Sequence, residues 1–189
     1  MEKTSKLTTK KIVLTALMAA LTVAGSAIRI TMPLEIAGTT AFHLGNIMCA
    51  LSGLLLGPWL GGLASGLGSA IYDIMNPLYI SECWITFLTK GAYGLVAGLI
   101  AWGGKKNWGY TKALLATLAG AVTYAALYLA KSYFYSGLLI KGLDPHAALL
   151  TILAKIPATT FNAVVAIIFA PILGTAILRA LKDNHLTLE

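Results

Sequence analysis

Lysine, tyrosine and amide side chains recur at helical spacing within segments of this sequence that are otherwise apolar. The repeats are Thr86, Lys90 and Tyr93; Tyr124, Tyr128, Lys131 and Tyr135; Lys155, Thr159 and Asn162; and His43 with Asn46. Steps of three and four residues place the members of each repeat on one face of a helix. Because polar and charged groups are costly in apolar surroundings unless they are paired or solvated, these repeats predict a polar cavity shared by several helices.

The side chains of these repeats also indicate what such a cavity could bind. Flat aromatic faces come from Trp84, Tyr93, Tyr124 and Tyr128. Hydrogen bonds come from the amide and charged groups, so the set suits a planar, polar heteroaromatic molecule. The lysines would also attract an anion, and the sequence leaves open how many of them are already paired.

Acidic residues near the lysines offer counter-charges. We expect Asp73 and Glu82 to neutralise Lys90, Lys155 or both, because an unpaired ammonium group in apolar surroundings is costly. A purely structural ion pair is the alternative to a pair that also contacts a ligand.

No arrangement typical of catalysis accompanies these repeats. The histidines His43, His146 and His185 are dispersed, and no cysteine and histidine cluster has the spacing of a metal site. The segment "GGKKNW" lacks the spacing of a phosphate-binding loop. Cys49 and Cys83 are expected to pack as free thiols. The sequence therefore predicts no catalytic residue, no metal, no cofactor and no enzymatic activity.

Composition predicts the elements that must position these side chains. Of the 189 residues, 58% are hydrophobic and 11% are charged, and the mean hydropathy is +0.79, which is typical of a membrane protein. At about 20 residues per span, the chain has room for about six transmembrane helices in one all-α domain, residues 1–189. We place the spans near residues 12–30, 43–57, 59–76, 84–103, 111–131 and 148–179.

Basic residues indicate the orientation of these spans. They cluster in residues 1–11, in residues 105–112, and at Arg179 and Lys182 around the start of the tail, residues 181–189. The positive-inside rule then places both termini in the cytoplasm. Topology explains the net charge of +7 without a nucleic-acid partner. Lys131 falls on the outer side, where the pattern favours snorkelling to the membrane interface beside Tyr135.

Small residues indicate where helices pack closely. The segment "GPWLGGLASGLGSAIYD", residues 57–73, carries glycine and serine at spacings of four residues, which lets helix backbones approach each other in lipid. A second small patch, Ala16, Ala20 and Ala24, lies on the first predicted span. This patch is consistent either with internal packing or with docking onto a separate membrane subunit.

Three segments carry a resemblance to a known family: "LTALMAALTVAG", "FHLGNIMCALSGLLLGPWLGGLASGLGSAIYDI" and "FLTKGAYGLVAG". They resemble the substrate-binding S components of energy-coupling factor (ECF) vitamin transporters, and the similarity extends over nearly the whole chain. Within that family, the chain is most similar to the group that includes riboflavin, hydroxymethylpyrimidine and queuosine-precursor carriers.

The resemblance implies a multi-pass protein of the cell membrane that captures a vitamin from outside, with riboflavin as the first candidate and hydroxymethylpyrimidine or a queuosine precursor next. It implies an ECF transmembrane coupling subunit and two cytosolic ATPase subunits as partners, with Ala16 and Ala20 at the docking surface. The ligand contacts of the family map onto residues 36–40, Lys90, Tyr128, Lys155 and Asn162. The alternatives are a small membrane channel and a membrane-embedded enzyme.

Overall fold

The computed structural model describes residues 8–34, 38–104 and 108–186. Five helices in these ranges are long and apolar enough to cross a membrane. The helices and strands are α1 (Thr9–Ala27), β1 (Arg29–Leu34), β2 (Gly38–His43), α2 (Gly45–Met75), α3 (Cys83–Trp102), α4 (Tyr110–Lys131) and α5 (Pro145–Asp183). A short 3-10 helix, Ile80–Glu82, precedes α3, and a π-helix, Ser132–Ile140, extends α4. The basic residues within 1–7 and 105–107, the expected ligand contact Ile36 and the tail residues 187–189 lie outside the described ranges.

Helix α2 explains why the long helices are fewer than the predicted spans. At Gly57 the backbone leaves helical geometry, with φ 78° and ψ −173°, and Pro58 follows. The Ser65 hydroxyl donates to the carbonyl oxygen of Cys49 at 3.1 Å, whereas residues so far apart on one straight helix would be separated by roughly 24 Å. The two arms of α2 therefore lie antiparallel as a helical hairpin, and they coincide with the predicted spans 43–57 and 59–76.

Glycines let the arms of α2 pack on each other and on neighbouring helices with little side chain between the backbones. A Cβ atom at Gly61 would lie 2.5 Å from the carbonyl oxygen of Ser52 in the other arm. A Cβ atom at Gly98 of α3 would lie 2.5 Å from the backbone nitrogen of Pro58. At Gly68, a Cβ atom would meet the backbone of α1. The predicted role of the small residues in close helix packing is confirmed.

Helix α1 contacts the bundle through one face and leaves its alanine patch on the other. Met18 and Thr22 are buried, whereas Ala16, Ala20 and Ala24 are exposed. Internal packing is therefore the wrong explanation of the alanine patch. Docking onto a separate subunit stays a prediction.

An antiparallel β-hairpin connects α1 to α2, and the sequence analysis missed it. Strand β1 pairs with β2, with Arg29 opposite His43. Asn162 of α5 holds the hairpin: its Oδ1 accepts from the His43 N–H at 2.9 Å, and its Nδ2 donates to the carbonyl oxygen of Ala41 at 2.8 Å. Both strands are short and border apolar spans. The predicted span 12–30 therefore includes the start of β1, and the predicted span 43–57 includes the end of β2. Apart from this hairpin, the described part of the domain is helical, as predicted.

The last helix, α5, is one element of 39 residues that contains both Pro157 and Pro171. The prediction of one long final segment is confirmed. The Asp144 carboxylate caps its first turn by accepting from the backbone N–H groups of His146 at 2.9 Å and Ala147 at 3.1 Å. These hydrogen bonds, above all the one from Ala147, lower the pKa of the Asp144 carboxyl.

Candidate functional site

A cavity of about 230 Å³ lies where the β-hairpin, the end of α2, the start of α3, the end of α4 and the first half of α5 meet. Most of the residues predicted to bind a substrate line this cavity. They are His43, Asp73, Glu82, Thr86, Lys90, Tyr124, Tyr128, Lys131, Lys155, Thr159 and Asn162. Asn46, Trp84 and Tyr93 are not among the lining residues. Helical spacing thus predicted the polar side chains that α3, α4 and α5 place around one space.

Lys90 reaches the cavity from α3 and has neutral groups as its direct partners. Its Nζ donates to Asn46 Oδ1 and lies 3.9 Å from the centroid of the Tyr124 ring. The side chain is buried, with 4% of Lys90 exposed. Asn46 therefore holds the ammonium group from behind, which is why this amide does not line the cavity itself.

Lys155 reaches the same cavity from α5 and is also buried, with 6% exposed. Its Nζ donates to the Ser132 hydroxyl at 3.3 Å and lies 5.5 Å from the centroid of the Tyr128 ring. Ser132 is the first residue of the π-helix. The change from α-helix to π-helix therefore supplies the hydrogen-bond partner of this lysine.

Among the described residues, Glu82 forms its direct ion pair with Lys131, and its charge reaches Lys155 only from farther away, so the expected pairing of Glu82 with Lys90 or Lys155 is not a direct one. Lys131 Nζ donates to Glu82 Oε2, and the Ser136 hydroxyl donates to Glu82 Oε1 at 2.8 Å. The Lys131 side chain is 9% exposed, so its expected snorkelling to the interface is wrong. The ion pair with Glu82, which lies on the 3-10 helix before α3, holds the Lys131 side chain inside the bundle.

Asp73 and Thr86 lie side by side in the cavity wall, at the end of α2 and near the start of α3. Asp73 is buried, with 8% exposed. Its carboxylate lies within electrostatic range of Lys90, Lys131 and Arg29, so one acid is shared among several cations.

Three tyrosines stack in a column beside the two lysines. The ring centroids of Tyr93 and Tyr124 are 6.0 Å apart at 19°, and those of Tyr124 and Tyr128 are 5.7 Å apart at 26°. Tyr93 is fully buried. It supports Tyr124 from behind, and only Tyr124 and Tyr128 of this column line the cavity.

Trp84 was predicted to contribute a flat face to the site, but it packs elsewhere. Its ring meets the Tyr135 ring edge to face, with centroids 5.6 Å apart at 86°. Half of Trp84 is exposed, at 52%, which suits the amphipathic indole at a membrane interface. Trp84 lies in the first turn of α3, the helix that also carries Lys90, but on a face that does not point into the cavity.

Arg29, which the sequence analysis did not single out, lies in the cavity wall at the start of β1. Its guanidinium carbon is 4.5 Å from the centroid of the Tyr72 ring and 4.9 Å from that of Tyr79, a cation–π arrangement. Its Nε and Nη1 atoms are buried and have no hydrogen-bond partner among the described residues. The sequence signal was weak because a single arginine at the end of an apolar span is usually an interfacial anchor.

The remaining predicted residues help to shape the wall. His43 Nδ1 accepts from the Gly45 N–H at 3.1 Å, and the Thr159 hydroxyl donates to the Lys155 carbonyl oxygen at 2.9 Å. The two polar atoms of the Asn162 amide both bond to β2. Thr39 and Thr40 of β2 also line the cavity, within the expected contact region 36–40.

Cysteine and metal chemistry add nothing to this site. Cys49 and Cys83 are both free, and Cys49 is buried, which confirms the prediction of unpaired thiols. Across residues 8–34, 38–104 and 108–186, no group of His, Cys, Asp and Glu side chains is arranged to hold a metal ion.

Comparison with known proteins gives two findings. Residues 6–179 match the family described as ECF-type riboflavin transporter, S component. A curated protein of Pyrococcus woesei, described as an uncharacterized protein in the gap 3′ region, is 33% identical over 118 residues, which is 62% of this chain and 74% of that protein. The family match covers every described residue that lines the cavity.

Proposed function

The chain belongs to the family of ECF-type riboflavin transporter S components, and we propose that its cavity binds one planar, polar, vitamin-like heteroaromatic molecule. Membership makes the chain a transporter's substrate-binding subunit and not an enzyme. S components in general work with an ECF module of coupling and ATPase subunits. The five apolar helices fit a multi-pass membrane protein.

The observation that supports a ring-shaped ligand is the pair of tyrosine rings beside buried cations. Tyr124 and Tyr128 present stacked rings to the cavity, and aromatic faces bind flat ring systems by offset stacking. Lys90 and Lys155 stand next to these rings and would donate hydrogen bonds to polar atoms at the ring edge. Riboflavin is the first candidate, followed by hydroxymethylpyrimidine and a queuosine precursor.

The hairpin form of α2 supports six membrane crossings with the cavity on the outer side. Each arm of α2 would cross once, and the turn at Gly57 would face the cytoplasm together with the Trp102 ring that packs on it. The basic residues Lys11, Lys112 and Arg179 lie toward the ends of their helices farthest from the cavity, where the positive-inside rule expects the cytoplasm. A ligand would then enter from outside, beside the β-hairpin.

The exposed alanine patch on α1 is the surface that we assign to the coupling subunit. Ala16, Ala20 and Ala24 face away from the bundle, and small residues let another membrane helix approach closely. The coupling subunit and two cytosolic ATPase subunits would supply the energy for uptake across the cell membrane.

Calorimetry on the purified chain in detergent, without ATP, tests the binding step. We expect one molecule of riboflavin, hydroxymethylpyrimidine or a deazapurine queuosine precursor to bind per chain. Failure of all three would remove this group of substrates from the proposal. Uptake in cells should require co-expression of an ECF module, and uptake without the module would favour a channel.

A further inference from the structure

The cavity has an excess of positive charge. Among the described lining residues, basic side chains outnumber acidic ones by five to two. They are Arg29, Lys90, Lys131, Lys141 and Lys155 against Asp73 and Glu82. A surplus of this kind in a space of about 230 Å³ requires compensation, because low-dielectric surroundings strengthen the repulsion between like charges.

The two acids are already engaged. Glu82 accepts from Lys131 through one oxygen and from Ser136 through the other. Asp73 is the remaining carboxylate, and it lies within electrostatic range of Arg29, Lys90 and Lys131 together. The Asp73 carboxylate therefore attracts both Arg29 and Lys90. Lys155 is attracted by Glu82 only from a distance, because Glu82 is paired with Lys131.

Three cations lack a carboxylate at hydrogen-bond distance within the described residues. Lys90 donates to the neutral amide of Asn46, and Lys155 donates to the neutral hydroxyl of Ser132. Both lysines are more than nine-tenths buried. Arg29 has two buried N–H donors, at Nε and Nη1, that find no partner in the part of the chain that the structure describes. Buried donors and buried charges without partners are costly in the empty protein, and a bound anion would remove that cost.

We propose that the molecule bound in this cavity is an anion, a planar ring that carries a carboxylate or a phosphate group. This inference rests on the proposed function, because it takes the cavity as the substrate site and adds the charge of the substrate. The ring lies against Tyr124 and Tyr128, and the anionic group is held among Arg29, Lys90 and Lys155. The same charges exclude cationic rings, since a positive ligand would face like charges without solvent between them.

Matched pairs of probes that differ in charge and share a ring test the proposal. One pair is riboflavin and riboflavin 5′-phosphate, and the other is nicotinamide and nicotinate, so the pairs separate a phosphate from a carboxylate. Thermal melting and calorimetry on the wild-type chain give the affinities. We expect at least one anion to bind about 10-fold or more tightly than its neutral partner. Equal or tighter binding of the neutral member of both pairs overturns the proposal, and so does the absence of binding by both anions.

Single-charge variants then locate the anionic group. Lys155→Met and Lys155→Gln should each weaken binding of the preferred anion by about 10- to 100-fold and change binding of its neutral partner much less. Lys182→Met is the matched control, because this exposed lysine lies at the far end of α5 and its loss should leave both affinities unchanged. Equal losses for anion and neutral partner in the two Lys155 variants would contradict an anion contact at this residue.

The two proposals fail in different ways. If riboflavin binds as tightly as its phosphate, and nicotinamide as tightly as nicotinate, the charge inference fails and the heteroaromatic binding function stands. If nicotinate or the flavin phosphate binds and riboflavin, hydroxymethylpyrimidine and the queuosine precursor do not, the charge inference stands and the proposed substrate group is replaced.

Discussion

Asn162 is the residue that joins the cavity wall to the body of the bundle. Its amide oxygen accepts from the backbone of His43, and its amide nitrogen donates to the backbone of Ala41. Both partners belong to β2, which contributes Thr39 and Thr40 to the cavity lining. The Asn162 side chain on α5 therefore fixes the position of the β-hairpin in the cavity wall.

We expect Asn162→Leu to lower the free energy of unfolding by about 1–3 kcal/mol, because two buried backbone groups of β2 lose their partners. Ligand affinity should fall as well, since the hairpin wall is no longer fixed. Thr175→Val is the control, because the Thr175 hydroxyl donates to a carbonyl within its own helix, α5, and does not line the cavity. Thermal melting in detergent with and without ligand measures both effects. An Asn162→Leu variant that melts at the wild-type temperature would contradict this role.

Helical spacing predicted the direction of side chains well and their depth poorly. Lys90 and Tyr93 lie on neighbouring positions of one face of α3, yet Lys90 lines the cavity and Tyr93 is hidden behind Tyr124. Helical periodicity predicts the direction in which a side chain points. It does not predict whether another side chain lies between it and the cavity. Arg29 was missed for another reason: it follows an apolar span directly and lies in a short hairpin strand that the span prediction did not separate from α1.

The helical hairpin α2 depends on a single turn at Gly57. With φ 78° and ψ −173°, this residue occupies a region of backbone space that is essentially restricted to glycine. A Cβ atom there would also lie 3.1 Å from the Trp102 ring. The turn therefore requires glycine both for its backbone angles and for its contact with α3.

We expect Gly57→Ala to destabilise the protein by about 1–3 kcal/mol. Gly91→Ala is the matched control, because Gly91 lies inside α3 and a Cβ there would come no closer than 3.4 Å to another atom. The control should be at least as stable as the wild type, since alanine is the better helix former. Comparable melting of the two variants would show that the turn does not need glycine.

Substitutions on the alanine patch of α1 should separate transport from binding. Ala16→Trp and Ala20→Trp add bulk to an exposed helix face, so we expect uptake in cells to fall sharply and ligand affinity in detergent to stay unchanged. Ala126→Trp, on an exposed position of α4, is the control and should affect neither measurement. Normal uptake by a folded Ala16→Trp variant would mean that the coupling subunit docks elsewhere.

At the scale of elements, long apolar segments were predictable and the connections between them were not. The ends of α3, α4 and α5 lie within a few residues of the predicted spans, because an uninterrupted apolar run of that length has few alternatives in a membrane. The strands β1 and β2 have no such constraint. They pair with each other, and β2 is bound to the bundle by Asn162, which is far away in the sequence.

At the scale of the whole molecule, the site is formed by helix ends that meet at one side of the bundle. Ser26, Asp73 and Tyr128 lie in the last turn or so of α1, α2 and α4, whereas Lys90 and Lys155 lie in the first halves of α3 and α5, and all of them line the cavity. Antiparallel neighbours place these ends together, so the up-and-down order of the chain determines the composition of the site. The polar repeats predicted this gathering of side chains, because they lie toward alternating ends of successive predicted spans.

Cysteine labelling tests the proposed orientation of the whole bundle. In a background with Cys49 and Cys83 replaced by alanine, a membrane-impermeant maleimide should label Leu78→Cys on intact cells, because Leu78 is exposed beside the cavity. It should label Lys182→Cys only after the cells are permeabilised, as expected for a cytoplasmic α5 end. The reverse pattern would invert the topology and place the cavity opening toward the cytoplasm.

The geometry of α2 has a consequence for how the protein enters the bilayer during synthesis. The arm before Gly57 begins at Gly45 and is roughly 18 Å long, which is much shorter than the hydrocarbon core of about 30 Å. Such an arm cannot be a stable insertion unit by itself. We expect it to enter the bilayer together with its glycine-rich second arm, as a pair. The backbone contacts between the two arms near Gly61 and Ser52 would then form before α3 is inserted. The α2 side of the cavity would form before the sides that later helices contribute.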